Sequence, residues 1–460
     1  MTLTRPAPVT APSTPPASRK EPLQAAARTY AELPPPVDAA LRAMRLDALL
    51  GDPADAANPY GRAALADRVR AGRLPVPGAL HDEFVPRTDG GHFTTAEQLA
   101  RALRPLFRRD LALSQAWGVR PLLVADDGTG CAPARAGELA ALLGPAALIA
   151  VTGTVLRDAV RVVDARGRHE PAVRQWHGTL AEAFADLLAC ESLVAVALRS
   201  LELPDAEAAP ALIAAVGYVV PLVAADVRNA LDLVLHETGS GPGSPRARAL
   251  DKITEDLALA AVDWVASTVS QVKLVRELTE LTDAVPDGRS PDPEGAGART
   301  LFRLGEPVAP GIPAAECHRA LAAALPAAAA RLADAGDPAH VALARAARRL
   351  TTEQRTLRQP LRRAAHADPA DPSVRALADR QALLLLAAAV LGVREAAADA
   401  PGTCIGTPDW ALLALVRVTE RLDVPLPTGL ADPRDNVWAV LAHRVRHHVD
   451  VDVYATRLLW

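Results

Sequence analysis

Aromatic residues are scarce in this chain, at 3% of 460 residues, and only four cysteines occur. The cysteines lack the paired spacing of a metal site, so we predict buried thiols in a reducing compartment and no bound metal. Basic residues are not in excess either, because 50 of them stand against 54 acidic residues for a net charge of −4. A chain without a basic excess is a poor partner for nucleic acid or for an anionic membrane surface.

Signals for secretion and membrane insertion are also lacking. Residues 1–21 are rich in proline, alanine and threonine and have no apolar core of the signal-peptide type. We find no uninterrupted apolar run of the roughly 20 residues that a membrane-spanning helix needs. We therefore predict a cytoplasmic protein with a disordered tail over residues 1–21.

Alanine and leucine are abundant, and apolar residues recur at three- and four-residue spacing, which is typical of amphipathic helices. Residues 22–145 predict an N-terminal helical domain, in which Thr94 and Glu97 form a capping box. Residues 176–282 predict a helical bundle whose third helix runs unbroken from about 247 to 282. A linker over 283–300 leads to a second helical domain over 301–460, whose apolar end we expect to dock onto the fold.

Residues 146–175 interrupt the helical pattern. The stretch 147–163 (ALIAVTGTVLRDAVRVV) is β-branched and partly alternating, and a Thr-Gly pair divides it. This pattern predicts a β-hairpin or a pair of short strands. Two strands are only marginally stable alone, so we expect this reduced β segment to pack on helices.

A glycine-rich loop, Gly239-Ser240-Gly241-Pro242-Gly243, precedes the third bundle helix. Backbone N–H groups at a helix N-terminus can bind a phosphate. The loop has neither the spacing of the dinucleotide-binding fingerprint nor the lysine of a P-loop. Gly239 and Gly241 are candidate cofactor contacts, and an ordinary turn between two helices is the alternative.

Two carboxylates are candidate catalytic residues because of their positions on the helical pattern. Glu191 falls on the apolar stripe of the first bundle helix, where an unpaired charge is costly and a carboxyl group retains its proton. Asp263 lies beside the stripe of the third helix. Each is a candidate acid or base, and the alternative for each is a structural role, for Glu191 a pairing with an arginine or hydroxyl of a neighbouring helix.

Six segments of the sequence share one further property, and they are 90–93, 109–113, Cys190-Glu191, 218–221, 235–245 and 449–460. Together they resemble the acyl-CoA dehydrogenase superfamily, especially its long members with an extra C-terminal helical domain. The resemblance implies a mainly α fold with a four-helix-bundle core. Too few residues remain for the family's middle β-barrel, so a vestigial β-hairpin is expected in its place.

The family desaturates acyl thioesters with FAD and one carboxylate. When Ser267-Thr268 is aligned with the turn that follows this carboxylate in the family, Val265-Ala266 stand where the acid and a glycine are expected. Asp263 approaches that place only with a one-residue insertion. The resemblance thus implies a scaffold without the usual FAD chemistry, although FAD binding through Gly239 and Gly241 stays open.

Three functions follow from this resemblance. The one we favour is a repurposed enzyme of bacterial specialised-metabolite biosynthesis, which acts on an acyl-thioester or polyketide-like substrate through Asp263 and Glu191. The second is a non-catalytic partner subunit of a flavin-dependent acyl-CoA or acyl-carrier dehydrogenase. The third is an FAD-dependent acyl thioester dehydrogenase. The family implies a homo-oligomer, or a hetero-oligomer with a flavoprotein homologue.

Overall fold

The computed structural model is mainly helical, at 77% helix, which confirms the predicted mainly α class. The described residues contain no β-strand, and their one isolated antiparallel bridge joins Val449 to Arg457. The residues that the structure describes are 35–55, 57–70, 95–124, 133–203, 209–241, 243–278, 281, 299–309, 312–333, 335–364, 367–398 and 404–460.

The α-helices of these residues are numbered in chain order. The first eight are α1 (Pro35–Leu50), α2 (Arg62–Arg70), α3 (Ala96–Arg109), α4 (Leu111–Leu113), α5 (Arg120–Val124), α6 (Pro133–Arg166), α7 (His177–Ser200) and α8 (Ala209–Glu237). A π-helical turn, Ser114–Val119, joins α4 to α5. The others are α9 (Pro245–Asp256), α10 (Trp264–Arg276), α11 (Ala314–Arg331), α12 (Pro338–Ala364), α13 (Pro372–Ala397), α14 (Pro408–Arg421) and α15 (Arg434–Arg446).

Helix α7 is the centre of the fold. Every residue from 183 to 200 is buried, as expected for a helix that is apolar on all sides. Helices α6 and α8 pack against α7, and so do α13, α14 and α15 of the C-terminal region. The buried side chains consequently form one continuous core that includes both the bundle and the C-terminal helices.

The segment predicted as a β-hairpin is helical, so that prediction is wrong. Helix α6 runs unbroken from Pro133 to Arg166, and residues 147–163 lie in it. A valine in place of alanine destabilises a helix by less than about 0.7 kcal/mol, whereas burial of its side chain stabilises the fold by about 1.5–3 kcal/mol. Gly153, which suggested a turn, instead permits close packing, because a Cβ there would lie 2.8 Å from Cγ2 of Val451.

The third bundle helix is also broken, contrary to the prediction. Helix α9 ends at Asp256 and α10 begins only at Trp264. Between them Ala261 adopts a φ of 51°, and the N–H of Val262 donates to the carbonyl of Leu257 at 3.1 Å. A left-handed residue with this hydrogen bond ends the run of turns that follows α9, and the alanine-rich sequence did not indicate it.

The capping-box prediction is displaced by one residue. The N-cap of α3 is Thr95, whose Oγ1 accepts from the N–H of Gln98 at 3.2 Å. Glu97 does not close the box but pairs with Arg199 in the interior. Thr94 lies outside the described residues, as do the predicted tail 1–21, residues 283–298 of the predicted linker and the family-like segment 90–93.

Three of the described helices are long and apolar enough to cross a membrane, by length and composition alone. They are Arg135–Arg166, Pro210–Glu237 and Pro372–Ala397. Neighbouring helices bury 78%, 61% and 72% of their respective most apolar stretches. The second of them, within α8, therefore leaves the largest share of its apolar stretch uncovered.

Candidate functional site

Glu191 lies in a buried network of charged side chains between α3, α7 and the C-terminal segment (residues 449–460). Arg104 donates from Nη1 to Oε1 of Glu191 at 2.5 Å and from Nε to Oδ2 of Asp450 at 2.8 Å. Nε of Arg104 also lies 3.3 Å from Oδ2 of Asp452. The N–H of Val453 donates to Oε2 of Glu191 at 3.3 Å. One guanidinium thus binds three buried carboxyl groups.

The C-terminal segment is held in place by its own hydrogen bonds, and it docks as predicted. The N–H of Leu458 donates to the carbonyl of His448 at 2.7 Å, which closes the segment on itself. Asp452 accepts from the N–H of Thr456 at 2.8 Å. Nε1 of Trp460 donates to the carbonyl of Asp47 in α1 at 3.1 Å. These contacts fix the carboxylates of Asp450 and Asp452 beside Arg104.

Burial raises the pKa of Glu191 from its usual 4.5 to about 8, although the charge of Arg104 opposes this shift. The neighbouring carboxylates of Asp452 and Asp450 raise it further. Desolvation is the largest cause of the shift, because burial destabilises the charged form of a carboxyl group. Glu191 therefore keeps its proton to a higher pH than an exposed glutamate does.

A small cavity of about 30 Å³ lies beside Glu191. This volume accommodates one or two water molecules. Nε of Arg101 is buried without a hydrogen-bond partner in the described part of the chain, and its guanidinium lies 4.8 Å from the ring centre of Tyr454. The cavity is polar enough to hold water but far below the roughly 300–1,000 Å³ of small-molecule pockets.

A second buried ion pair lies at the end of this cavity. Arg199 of α7 pairs with Oε2 of Glu97 in α3 and donates from Nε to the carbonyl of Leu301 at 2.8 Å. Glu97 accepts in addition from the N–H of Gly305 at 2.8 Å and from the hydroxyl of Tyr454 at 2.6 Å. The pair fastens the start of the C-terminal region to α3 and α7.

Asp263 occupies a different kind of site. It is the N-cap of α10, where its Oδ1 accepts from the N–H of Ala266 at 2.9 Å, and it is partly exposed. No hydrogen bond or ion pair joins Asp263 to Glu191 in the described ranges. The structure brings Glu191 together with Arg104 and Asp450, and it leaves Asp263 at the start of a surface helix.

The glycine-rich loop forms a turn between α8 and α9. Gly239 has a φ of 81°, and the N–H of Ser240 donates to the carbonyl of Leu235 at 2.8 Å, which is the C-cap of α8. A Cβ at Gly239 would lie 3.3 Å from Nη1 of Arg166, whereas nothing lies within 4 Å of one at Gly241. The first glycine thus has a structural role in the turn.

The described residues do not fit the flavin that the family resemblance implies. The space beside Gly239 is filled by Arg166, and Gly241 faces open space. The cavity beside Glu191, at about 30 Å³, is too small for a ring system of flavin size. We therefore derive no chemical step through FAD.

Comparison with known proteins identifies no relative, since no protein family, no curated protein and no solved structure matches the chain. The acyl-CoA dehydrogenase resemblance therefore rests on the sequence segments given above.

The sequence did not point to Arg104, Asp450 or Tyr454 as members of the site. One signal was available, because Asp450 and Asp452 lie two residues apart near the end of the sequence. Nothing local indicated that an arginine 346 residues earlier binds Asp450.

We expect the stability of the protein to fall between about pH 4.5 and pH 8 because of Glu191. The carboxyl group holds its proton in the folded protein up to about pH 8 but loses it near 4.5 when unfolded. The stabilisation from this proton is complete below pH 4.5 and is lost as the pH rises towards 8. Urea unfolding should show that the free energy of unfolding falls less across this pH range in Glu191→Gln than in the wild type. An equal loss in both proteins would contradict the assignment.

Proposed function

We propose that this protein is an acyl-CoA-dehydrogenase-like, cytoplasmic protein that serves as a non-catalytic subunit of a protein assembly. The observation that supports this role is the outer face of α10. Trp264 is 78% exposed there, Val265 48% and Val269 50%, and Leu259 in the preceding turn is 49% exposed. Four of the nine exposed large hydrophobic residues in the described ranges thus lie between residues 259 and 269.

The first two turns of α10 pack differently from those of an ordinary surface helix. Their small polar side chains face inward, where Oγ of Ser267 donates to the carbonyl of Tyr218 at 3.1 Å. Ser270 packs against Gly217 so closely that a Cβ there would lie 2.5 Å from its Oγ. The last turn buries Leu274 and Val275, whereas the exposed apolar side chains at the start of the helix face outward. A grouped apolar surface of this kind marks a protein–protein or membrane contact.

The positions of the two candidate carboxylates support the same proposal. Glu191 is bound by Arg104, and Asp263 caps α10, so each has a structural partner. The cytoplasmic location is supported by the neighbouring helices, which cover most of the apolar stretches of the three long helices.

The test is to purify the tagged chain alone and together with co-expressed flavin-bearing acyl-CoA dehydrogenase homologues from the same genome. We expect a colourless chain that forms an assembly, either with itself or with a homologue identified by mass spectrometry. Val269→Glu should dissociate the assembly. Leu123→Glu is the matched control, because Leu123 is 55% exposed in α5. A chain that is yellow by itself and oxidises acyl-CoA would contradict the proposal, as would one that stays monomeric throughout.

A second candidate function is proton transfer on an acyl-thioester or polyketide-like substrate. It is favoured by the raised pKa of Glu191, about 8, at the wall of the cavity. A group with a pKa near the working pH is suited to acid–base catalysis. Mass spectrometry of butyryl-CoA and octanoyl-CoA incubated with the protein in D2O measures exchange at Cα. If the protein has this function, the wild type and Asp263→Asn exchange the Cα hydrogen for deuterium, whereas Glu191→Gln does not. The absence of exchange in the wild type would refute it.

A further inference from the structure

We propose that the outer face of α10 binds the same face of a second copy of this chain, with the two α10 helices antiparallel about a two-fold axis near Thr268. This inference rests on the proposed subunit role and specifies the partner. Closed two-fold pairing is the commonest form of association between identical chains, and it requires a surface that is complementary to itself.

The charges at the two ends of α10 provide this complementarity. Asp263 lies at the N-terminal end, and the exposed Lys273 and Arg276 lie at the C-terminal end. An antiparallel arrangement places the acidic end of each helix against the basic end of the other, whereas a parallel one places like charges together. Complementary charges of this kind determine which orientation is accepted. The two helix dipoles favour the same orientation.

The apolar residues agree with this register. If Asp263 of one copy faces Lys273 of the other, then Trp264 faces Val272 and Thr268 faces its own counterpart. Trp264, the most exposed of the large hydrophobic side chains, therefore meets an apolar side chain of the other copy. The 13 residues of α10 extend over about 20 Å, so the contact consists of apolar side chains with a charge pair at either end.

Lipid is a weaker match for this face. Amphipathic helices that lie on membranes combine an apolar face with a basic one, but the N-cap of α10 is the acidic Asp263 and the chain has a net charge of −4. We therefore expect the wild-type chain not to float with phosphatidylcholine vesicles. If the wild type floats with the vesicles and Val269→Glu does not, the outer face of α10 binds lipid and not a second copy. That result would overturn this inference.

Sedimentation equilibrium of the full chain tests the pairing itself. We expect a dimer whose dissociation constant rises at least about 30-fold in Trp264→Ala, as for an interface anchor residue, and comparably in Val269→Glu. Leu123→Glu should leave the constant unchanged. Because these side chains are exposed, circular dichroism should show intact helices in every variant. A dimer that tolerates both substitutions in α10 would overturn the inference.

Thiol crosslinking tests the antiparallel register. Thr268→Cys should crosslink to its own counterpart with a short bismaleimide, since it lies at the axis. Trp264→Cys should react far less, because its counterpart lies about 12 Å along the helix axis. The wild type is the background control, since Cys404 is partly exposed whereas Cys190 and Cys317 are buried. Stronger crosslinking at position 264 than at 268 would refute the register.

The failures of this inference and of the proposed function can be told apart. The wild-type chain could be monomeric and still bind a flavoprotein homologue that Val269→Glu fails to bind. That result would overturn the pairing with a second copy but would support the subunit role. A chain that is monomeric and retains no homologue overturns both. A dimer that Val269→Glu dissociates supports both.

Discussion

Replacement of Arg104 by methionine should lower the free energy of unfolding by about 3–5 kcal/mol, which is the effect of breaking a buried ion pair by removing one partner. Methionine keeps most of the volume but leaves the carboxyl groups of Glu191, Asp450 and Asp452 without their shared cation. The charge of Arg104 also helps to hold the pKa of Asp450 well below its usual range. Urea unfolding followed by circular dichroism measures the loss.

Arg161→Met is the matched control for this experiment. The side chain of Arg161 is 42% exposed and pairs with Asp158 at 3.2 Å on the same helix. A solvent-exposed pair of this kind contributes about 0.3–0.5 kcal/mol. Equal losses in Arg104→Met and Arg161→Met would show that the buried network does not stabilise the fold.

Replacement of Arg199 by methionine is the second large effect, and we again expect a loss of about 3–5 kcal/mol. The substitution leaves Glu97 without its cation and removes donors from the carbonyl groups of Leu301 and Glu306. The segment 299–309 loses its attachment to α7, so its amides should exchange with solvent faster than those of the core. Hydrogen exchange with mass spectrometry measures this local effect, and urea unfolding measures the global one.

Arg303→Met is the comparison for Arg199, because it lies in the same segment. Its side chain is 50% exposed and lies 3.7 Å from the carboxylate of Glu306. We expect a loss below about 0.5 kcal/mol and unchanged exchange in residues 299–309. If Arg199→Met leaves the exchange of this segment at the wild-type rate, the ion pair with Glu97 does not attach it.

Local sequence was sufficient for the helical class and for much of the chemistry at Glu191. Apolar residues at three- and four-residue spacing identified α7 and α8, because the spacing reflects the helix period itself. Glu191 was predicted to need a partner because a charge on an apolar stripe must be paired or neutralised. The structure provides both, with Arg104 as the partner and a raised pKa.

Residues 147–163 and the break at Ala261 were decided by tertiary contacts. β-branched residues disfavour a helix only weakly, and their burial between α7 and α8 outweighs that preference. Ala261 is a good helix former, yet it adopts a positive φ in the turn between α9 and α10. A local pattern does not contain the packing partners that reverse these preferences.

The sequence by itself determined where most of the helices lie and that Glu191 needs a partner. Only the tertiary structure decided which groups meet. Asp450 reaches Arg104 across 346 residues, and the apolar stripe assigned to the third bundle helix includes Trp264, which is 78% exposed. The physical reason is that the spacing of apolar residues indicates which side of a helix is apolar. Whether that side is buried depends on elements that are distant in the chain.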